Sequence, residues 1–209
     1  MNDLAKSVQV VADPWKQSTY YDDAEPWTFI FWSEDHPFYP LFKRLDLTAV
    51  LELTCGHGRH SKIVAVRSGQ LTLMDVHEEN IKYCRTRLAR FRNTVFFTNS
   101  GHDFRPIADN ALTAIFCYDA MVHFSPNLVE AYLRDTARVL KPGGMALYQH
   151  SNYRAPLDRH YGQNPHARNH MTESLFRHFS DEAGLVVVES LPIDWGGVTN
   201  LDRLTLLKK

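Results

Sequence analysis

From Ala49 to Lys209 short apolar runs alternate with amphipathic stretches, and this rhythm restricts the chain to a mainly parallel sheet with helices on both faces. Strands are expected at 49–54 (AVLELT), 71–75 (LTLMD), 94–98 (TVFFT), 114–119 (AIFCYD), 144–150 (GMALYQH), 186–191 (VVVESL) and 203–208 (RLTLLK). Helices fall between them, at 59–68, at 77–91 with Ile81, Cys84 and Leu88 on one face, and at 127–140 with Val129, Tyr132, Leu133, Thr136 and Leu140 in a stripe. KPGG at 141–144 ends the third helix; a fourth begins near 172 with Thr172 as N-cap and stops near Gly184. The last two strands are joined by LPIDWGGVTNLD, too short for a crossover helix, so they pair as an antiparallel hairpin. The expected class is α/β, a seven-stranded, mainly parallel sheet with an antiparallel final strand, in one domain over 1–209 with its core at 49–209.

Residues 1–48 stand outside this rhythm, and within them 14–48 is dense in aromatics yet acidic, with Asp22, Asp23, Glu25, Glu34 and Asp35. Such a segment reads as irregular helical turns laid over the strand ends, serving either as a fixed structural cap or as a mobile lid. Tyr20, Tyr21 and Trp27 are the side chains expected to close a substrate pocket from that side.

The strongest local signal is Val50-Leu51-Glu52-Leu53-Thr54-Cys55-Gly56-His57-Gly58-Arg59-His60-Ser61, a strand running into a glycine turn that opens a helix. Glycine suits a sharp turn where a ligand must approach the main chain. Glu52 is a carboxylate in an otherwise apolar strand, a placement that calls for a ligand or a donor. The next strand ends in Asp75, placed to accept from ribose hydroxyls, with Val76 beside it. After the third strand, His102, Asp103 and Phe104 offer an acceptor and an aromatic face for an adenine. A nicotinamide dinucleotide fits less well, because the third glycine of its fingerprint is replaced by Ser61.

These residues resemble the class I S-adenosylmethionine-dependent methyltransferase family over roughly 40–209. Glu52 to Gly58 looks like its first motif, Asp75 like its ribose-binding acid, Asp119-Ala120-Met121-Val122-His123-Phe124 like its segment after strand four, and Leu140-Lys141-Pro142-Gly143-Gly144 like the turn before strand five. The resemblance implies a seven-stranded Rossmann-like sheet with the final strand inserted antiparallel. It implies S-adenosylmethionine as cofactor, with S-adenosylhomocysteine as product. The implied cofactor contacts are Glu52, Thr54, Gly56, Gly58, Asp75, Val76, His102, Asp103, Phe104, Tyr118, Asp119 and Ala120. Asp103 departs from the family's usual spacing for the adenine-binding acid.

Methyl transfer needs alignment of acceptor and methyl, and a base only where the acceptor is weak. The ligand crevice of an open α/β sheet lies beyond the carboxyl ends of the strands, which selects His123 and His150 as catalytic candidates. Both would also touch substrate, together with Asn152 and with Arg168 from the polar loop 158–171. That polar lining points to an oxygen, less readily a nitrogen, of a small polar acceptor such as a sugar or phosphorylated metabolite. A catalytically silent module that binds the cofactor or its product is the alternative. A formal charge of −1 gives no cationic field for nucleic acid. No run of eighteen apolar residues or leader pattern is visible, and Cys55, Cys84 and Cys117 form no paired framework, so a cytoplasmic protein without membrane or nucleic-acid partners is expected. No metal is expected: Cys55, His57 and His60 straddle the turn the cofactor needs, and His166 and His170 lack a third ligand.

Overall fold

The computed structural model describes residues 3–156 and 159–209. Asp158, the first residue of the expected polar loop, lies outside them. Seven strands form one sheet: β1 (Ala49–Leu53), β2 (Gln70–Asp75), β3 (Thr94–Thr98), β4 (Leu112–Cys117), β5 (Leu140–Ser151), β6 (Val186–Trp195) and β7 (Val198–Lys208). Their order is β3-β2-β1-β4-β5-β7-β6, parallel from β3 to β5, with β7 inserted antiparallel to both neighbours. The strand order reverses between β1 and β4, so the crevice beyond their carboxyl ends is where a ligand belongs in such a sheet.

Eight α-helices accompany the sheet among the described residues: α1 (Asp3–Ala12), α2 (Tyr20–Asp23), α3 (Thr28–Phe31), α4 (Phe38–Phe42), α5 (Ser61–Val64), α6 (Glu78–Arg87), α7 (Pro126–Val139) and α8 (Glu173–Glu182). No helix among the described residues is long and apolar enough to cross a membrane. Strand side chains alternate between faces. Leu51, Leu53, Ile115 and Cys117 accordingly meet Val129 and Leu133 of α7 and Phe176 of α8. Val50, Ala114, Phe116 and Leu147 meet Phe38 and Phe42 of α4 on the other face. A fully buried side chain such as Leu51 contributes roughly 1.5–3 kcal/mol.

Local chemistry sets the element ends. Thr172 Oγ1 accepts from Leu175 N–H (3.1 Å), the N-cap expected for α8, and Gly184 at φ +76° ends that helix. The helix expected at 59–68 is only one turn. Its chain is drawn into β2 by bonds from Gly69 N to Leu47 O and Gln70 N to Thr48 O (both 2.9 Å), with Gly69 pressed on the Thr48 carbonyl where a Cβ would sit 2.5 Å away. The connection between the last strands is also shorter than expected. LPIDW and VTNLD continue β6 and β7, and only Gly196 and Gly197, at φ +55° and +80°, make the turn. A two-residue hairpin whose twist matches its strands needs positive φ at both positions. Residues 14–48 form the irregular helical turns expected of them, whereas α1 ahead of them is a regular helix buried through Val11.

Candidate functional site

The loop after β1 turns back under strain. Thr54, β-branched, sits at φ +55°, a left-handed conformation that costs a residue of its type roughly 1–3 kcal/mol and is tolerated mainly at functional sites. Cys55 N–H bonds Met74 O (3.0 Å) and Gly58 N–H bonds Cys55 O (2.8 Å), closing the turn. Gly58, at φ +75°, packs on Cys84 Sγ, so its missing Cβ serves the turn and the approach of α6 rather than the cleft wall. Cys55 Sγ lies 3.9 Å from Cys84 Sγ.

Asp75 is the hub of this end. Its Oδ2 accepts from Gly56 N–H (2.9 Å), and its Oδ1 accepts from His77 N–H (2.9 Å) and Asn80 Nδ2–H (3.1 Å). Burial pushes its pKa up, against the pull of these donors. A carboxylate offers about four acceptor sites, so three bonds leave about one for a ligand rather than the pair expected for two ribose hydroxyls. Glu52 accepts from Ser61 Oγ, and burial raises its pKa to about 8, against Ser61 and the nearby Arg59.

Across the crevice Asp119, at φ +62°, follows β4. Its carboxylate takes Arg59 Nη2 (2.6 Å) and the Tyr20 hydroxyl, and its N–H donates to Gln149 Oε1 (2.9 Å). Gln149 Nε2 donates to Asp202 Oδ2 (2.8 Å), and Arg168 holds both Asp202 oxygens (2.9 and 2.6 Å). Residues 20–25 are thereby tied to the glycine turn: Arg59 Nη1 also reaches Ala24 O (3.0 Å), while Glu25 pairs with Lys62 and Arg87. Tyr21 lies over Gly56, where an added Cβ would come within 2.8 Å of its ring.

These elements enclose a cleft of about 960 Å³, its open mouth included. Glu52, Thr54, Gly56, Asp75 and Val76 line it from the β1 and β2 ends. Tyr118, Asp119, Ala120 and His123 line it from the β4 end, with Tyr20 and Tyr21 from the N-terminal segment. An outer cavity shares Trp15, Tyr20, Asp119 and His123 with the cleft and is walled by Trp27, Arg168 and Trp195. His123 Nδ1 lies 2.9 Å from Ala167 O. A carbonyl only accepts, so the proton is on Nδ1 and the lone pair on Nε2. Burial, aided by Arg168, lowers the His123 pKa to about 4.

Several expected site residues lie elsewhere. His150 is fully buried in β5, bonded to Ser151 O and Thr205 Oγ1 (both 2.9 Å) and stacked on Phe176 at 3.7 Å, where it faces α8 instead of the cleft. Asn152 accepts from Glu173 N–H (2.9 Å) and donates to Asn200 O (3.2 Å), holding the start of α8. Neither lines either cavity. Asp103 accepts from Ser100 Oγ (2.9 Å) and Arg105 N–H (3.1 Å), closing its own turn beside His102, while Phe104 packs on Tyr132 at 5.3 Å in the core; none of the three lines the cleft.

The cleft wall at that end comes instead from Asn99, Gly101, Tyr132 and α1. Val8 presses on Gly101, where a Cβ would meet Cγ1 at 2.5 Å, and Val11 and Ala12 continue the wall. Leu4, Val8 and Val11 recur at helical spacing, a signal present in the sequence. The acceptors Glu52, Asp75 and Asp119 with the Arg59 guanidinium suit a ligand carrying hydroxyls, an ammonium and a carboxylate. Fold and site thus define an open α/β protein with a cleft at its switch point.

Comparison with known proteins agrees. Residues 50–144 match the family model described as a methyltransferase domain. A demethylmenaquinone methyltransferase of Tropheryma whipplei is 31% identical over 106 residues, covering 49% of this chain and 42% of that one. A fatty-acid O-methyltransferase of Mycolicibacterium smegmatis is 32% identical over 101 residues, covering 47% and 35%. The matched stretch thus spans less than half the length of these relatives. The crystal structure of a SAM-dependent methyltransferase from Aquifex aeolicus superposes with a TM-score of 0.61 at 18% identity, covering 81% of this chain and 87% of that one, a likeness of fold. Residues 50–144, which hold the motifs, thus resemble a methyltransferase domain, and the likeness of fold extends over most of the chain.

Proposed function

We propose that the protein transfers a methyl group from S-adenosylmethionine to an oxygen of a small acceptor held where the cleft meets the outer cavity. One observation carries this reading: Glu52, Gly56, Asp75 and Asp119, from the ends of three strands, line a single cleft with the N-terminal aromatics folded over it. Asp75 and the Gly56 main chain would hold the ribose, Val76 and Tyr132 would flank the base, and Glu52 with Arg59 would meet the charged amino-acid end. The cofactor would supply an electrophilic methyl group. Tyr20, Tyr21 and Trp15 would exclude water from it, as side reactions require.

His123 is the group of this chain placed to orient the acceptor. Its neutral Nε2 would accept a hydrogen bond from the acceptor hydroxyl, take the proton as that oxygen receives the methyl group, and pass the proton on to water. An open outer cavity bordered by His123 favours an enzyme over the silent cofactor-binding module. The acceptors named for the two relatives differ from one another, so the outer cavity is the better guide to this chain's own. In the test, the protein is incubated with S-adenosylmethionine and a panel of hydroxylated metabolites, and S-adenosylhomocysteine is measured. Turnover above the acceptor-free rate is expected, reduced about 100-fold in His123→Phe, within the range for loss of an acid–base group. Equal turnover in that variant would remove His123 from the chemistry.

A further inference from the structure

We infer that the acceptor is a planar aromatic hydroxy compound, its ring taken up among Trp15, Trp27 and Trp195 and its hydroxyl directed to His123 Nε2. This rests on the methyltransferase reading above and names the substrate class for the same site.

The loops after β4 and β5 are rich in hydrogen-bonding side chains, but the fold uses them. Ser151 Oγ donates to Asn169 O (2.8 Å), Asn169 Nδ2 to His123 O (3.1 Å), and Arg168 Nη1 to His166 O (2.9 Å). The arginine lining the outer cavity, Arg168, is neutralised by Asp202, itself fully buried. A phosphate or carboxylate head would therefore find no unpaired arginine or lysine among the described residues lining the outer cavity. A sugar would bring many hydroxyls to walls able to pair few of them, and each buried unpaired group is a penalty.

What remains is aromatic surface, the acceptor His123 Nε2, and two buried atoms without partners, Trp15 Nε1–H and Asn164 Oδ1. Three of the chain's four tryptophans border the outer cavity. The fourth, Trp32, instead donates its indole N–H to His60 Nδ1 (3.0 Å) against α4. Trp27 is 46% exposed beside Ile30 at 44%, apolar surface available for a ligand to cover. Indole faces favour offset or edge contacts with a second ring, a preference that a sugar or short alcohol does not satisfy equally. Asn164 Nδ2 donates to Arg168 O (2.8 Å), which orients the amide and leaves Oδ1 buried without a partner. His123 Nε2 is the acceptor on a residue bordering the cavity, and it calls for a donor, as a hydroxyl is. The weak basicity that burial gives His123 fits the same choice, since a phenolic hydroxyl is far more acidic than a sugar or alkyl one.

The test uses the full chain labelled with nitrogen-15 at the tryptophan indoles, titrated with 2-naphthol in the presence and absence of S-adenosylhomocysteine, with glucose 6-phosphate as comparison. Signals of Trp15, Trp27 and Trp195 should shift with 2-naphthol while Trp32 stays in place, and glucose 6-phosphate should move none of them. Trp27→Leu and Trp195→Leu should each weaken 2-naphthol binding about tenfold and leave S-adenosylhomocysteine affinity within twofold. With S-adenosylmethionine the same probe should yield its methyl ether. Binding of glucose 6-phosphate with no response to 2-naphthol would overturn the inference while leaving the methyltransferase reading intact. Failure of S-adenosylhomocysteine to bind would instead strike that reading, and the titration of the free protein would still decide whether the cavity takes an aromatic ring.

Discussion

Replacing Asp75 by asparagine separates what this residue does for the fold from what it does for a ligand. The carboxylate satisfies Gly56 N–H, His77 N–H and Asn80 Nδ2–H, all in the buried turn. Alanine would orphan three donors at about 1–3 kcal/mol each, a large part of a typical total stability of about 5–15 kcal/mol, so Asp75→Ala tests folding more than binding. Asparagine keeps one oxygen for His77 and Asn80 and turns an N–H₂ toward Gly56 N–H, a loss of about 1–3 kcal/mol read as a lower urea midpoint. The ligand loses one bond to a charged acceptor, about 1.5–3 kcal/mol, or roughly 10- to 150-fold in affinity. Calorimetric titration of native and Asp75→Asn protein with S-adenosylhomocysteine measures this directly. An affinity within twofold of native, in a variant whose urea midpoint falls as expected, would refute the placement of the ribose at Asp75.

Two further outcomes follow from buried titratable groups. His150 has its pKa lowered to about 3, chiefly by burial, from an ordinary value of 6.5, so its contribution to stability is present above pH 6.5 and is lost as pH falls toward 3. Between pH 7 and 5 this amounts to about 2 kcal/mol, and in His150→Phe urea melts should show a pH dependence flatter by that amount, with turnover at pH 7 retained; an unchanged slope would mean the imidazole is not buried neutral. Glu52, raised to about 8 by burial, is mostly protonated at pH 7 in the free protein, so a cationic ligand group should draw its proton off. Binding of S-adenosylmethionine at pH 7 should then release close to one proton, seen as a binding enthalpy that varies with buffer ionisation, and Glu52→Gln should abolish the release; no buffer dependence in the native protein would place the ligand's charge away from Glu52.

The sheet was legible in the sequence because strands buried on both faces leave continuous apolar runs and the helices between them leave stripes. That Glu52 and Asp75 border a cleft was legible for a related reason: a carboxylate in an apolar strand, or at a strand's end, calls for a donor or a ligand. The rest depended on direction and on partners. His150 stands at a strand end like His123, but β5 aims its ring at Phe176 under α8, and strand position alone does not disclose the face. Asn152 and Arg168 were legible as polar but not as satisfied, since Glu173 and Asp202, which engage them, are distant in sequence. Helix α1 carried its helical spacing openly, yet its contact with Gly101 is a tertiary fact. His102, Asp103 and Phe104 follow the right strand, but Asp103 folds back onto Ser100.

The central claim is that the cleft between the ends of β1, β2 and β4 takes S-adenosylmethionine, and thermal unfolding with saturating S-adenosylhomocysteine, beside NADH, tests it most directly. At one hundred times its dissociation constant the product should stabilise the protein by about 2.7 kcal/mol and raise the Tm by about 5–10 °C, with NADH leaving it unchanged. A rise with NADH alone, or with neither ligand, would contradict the account.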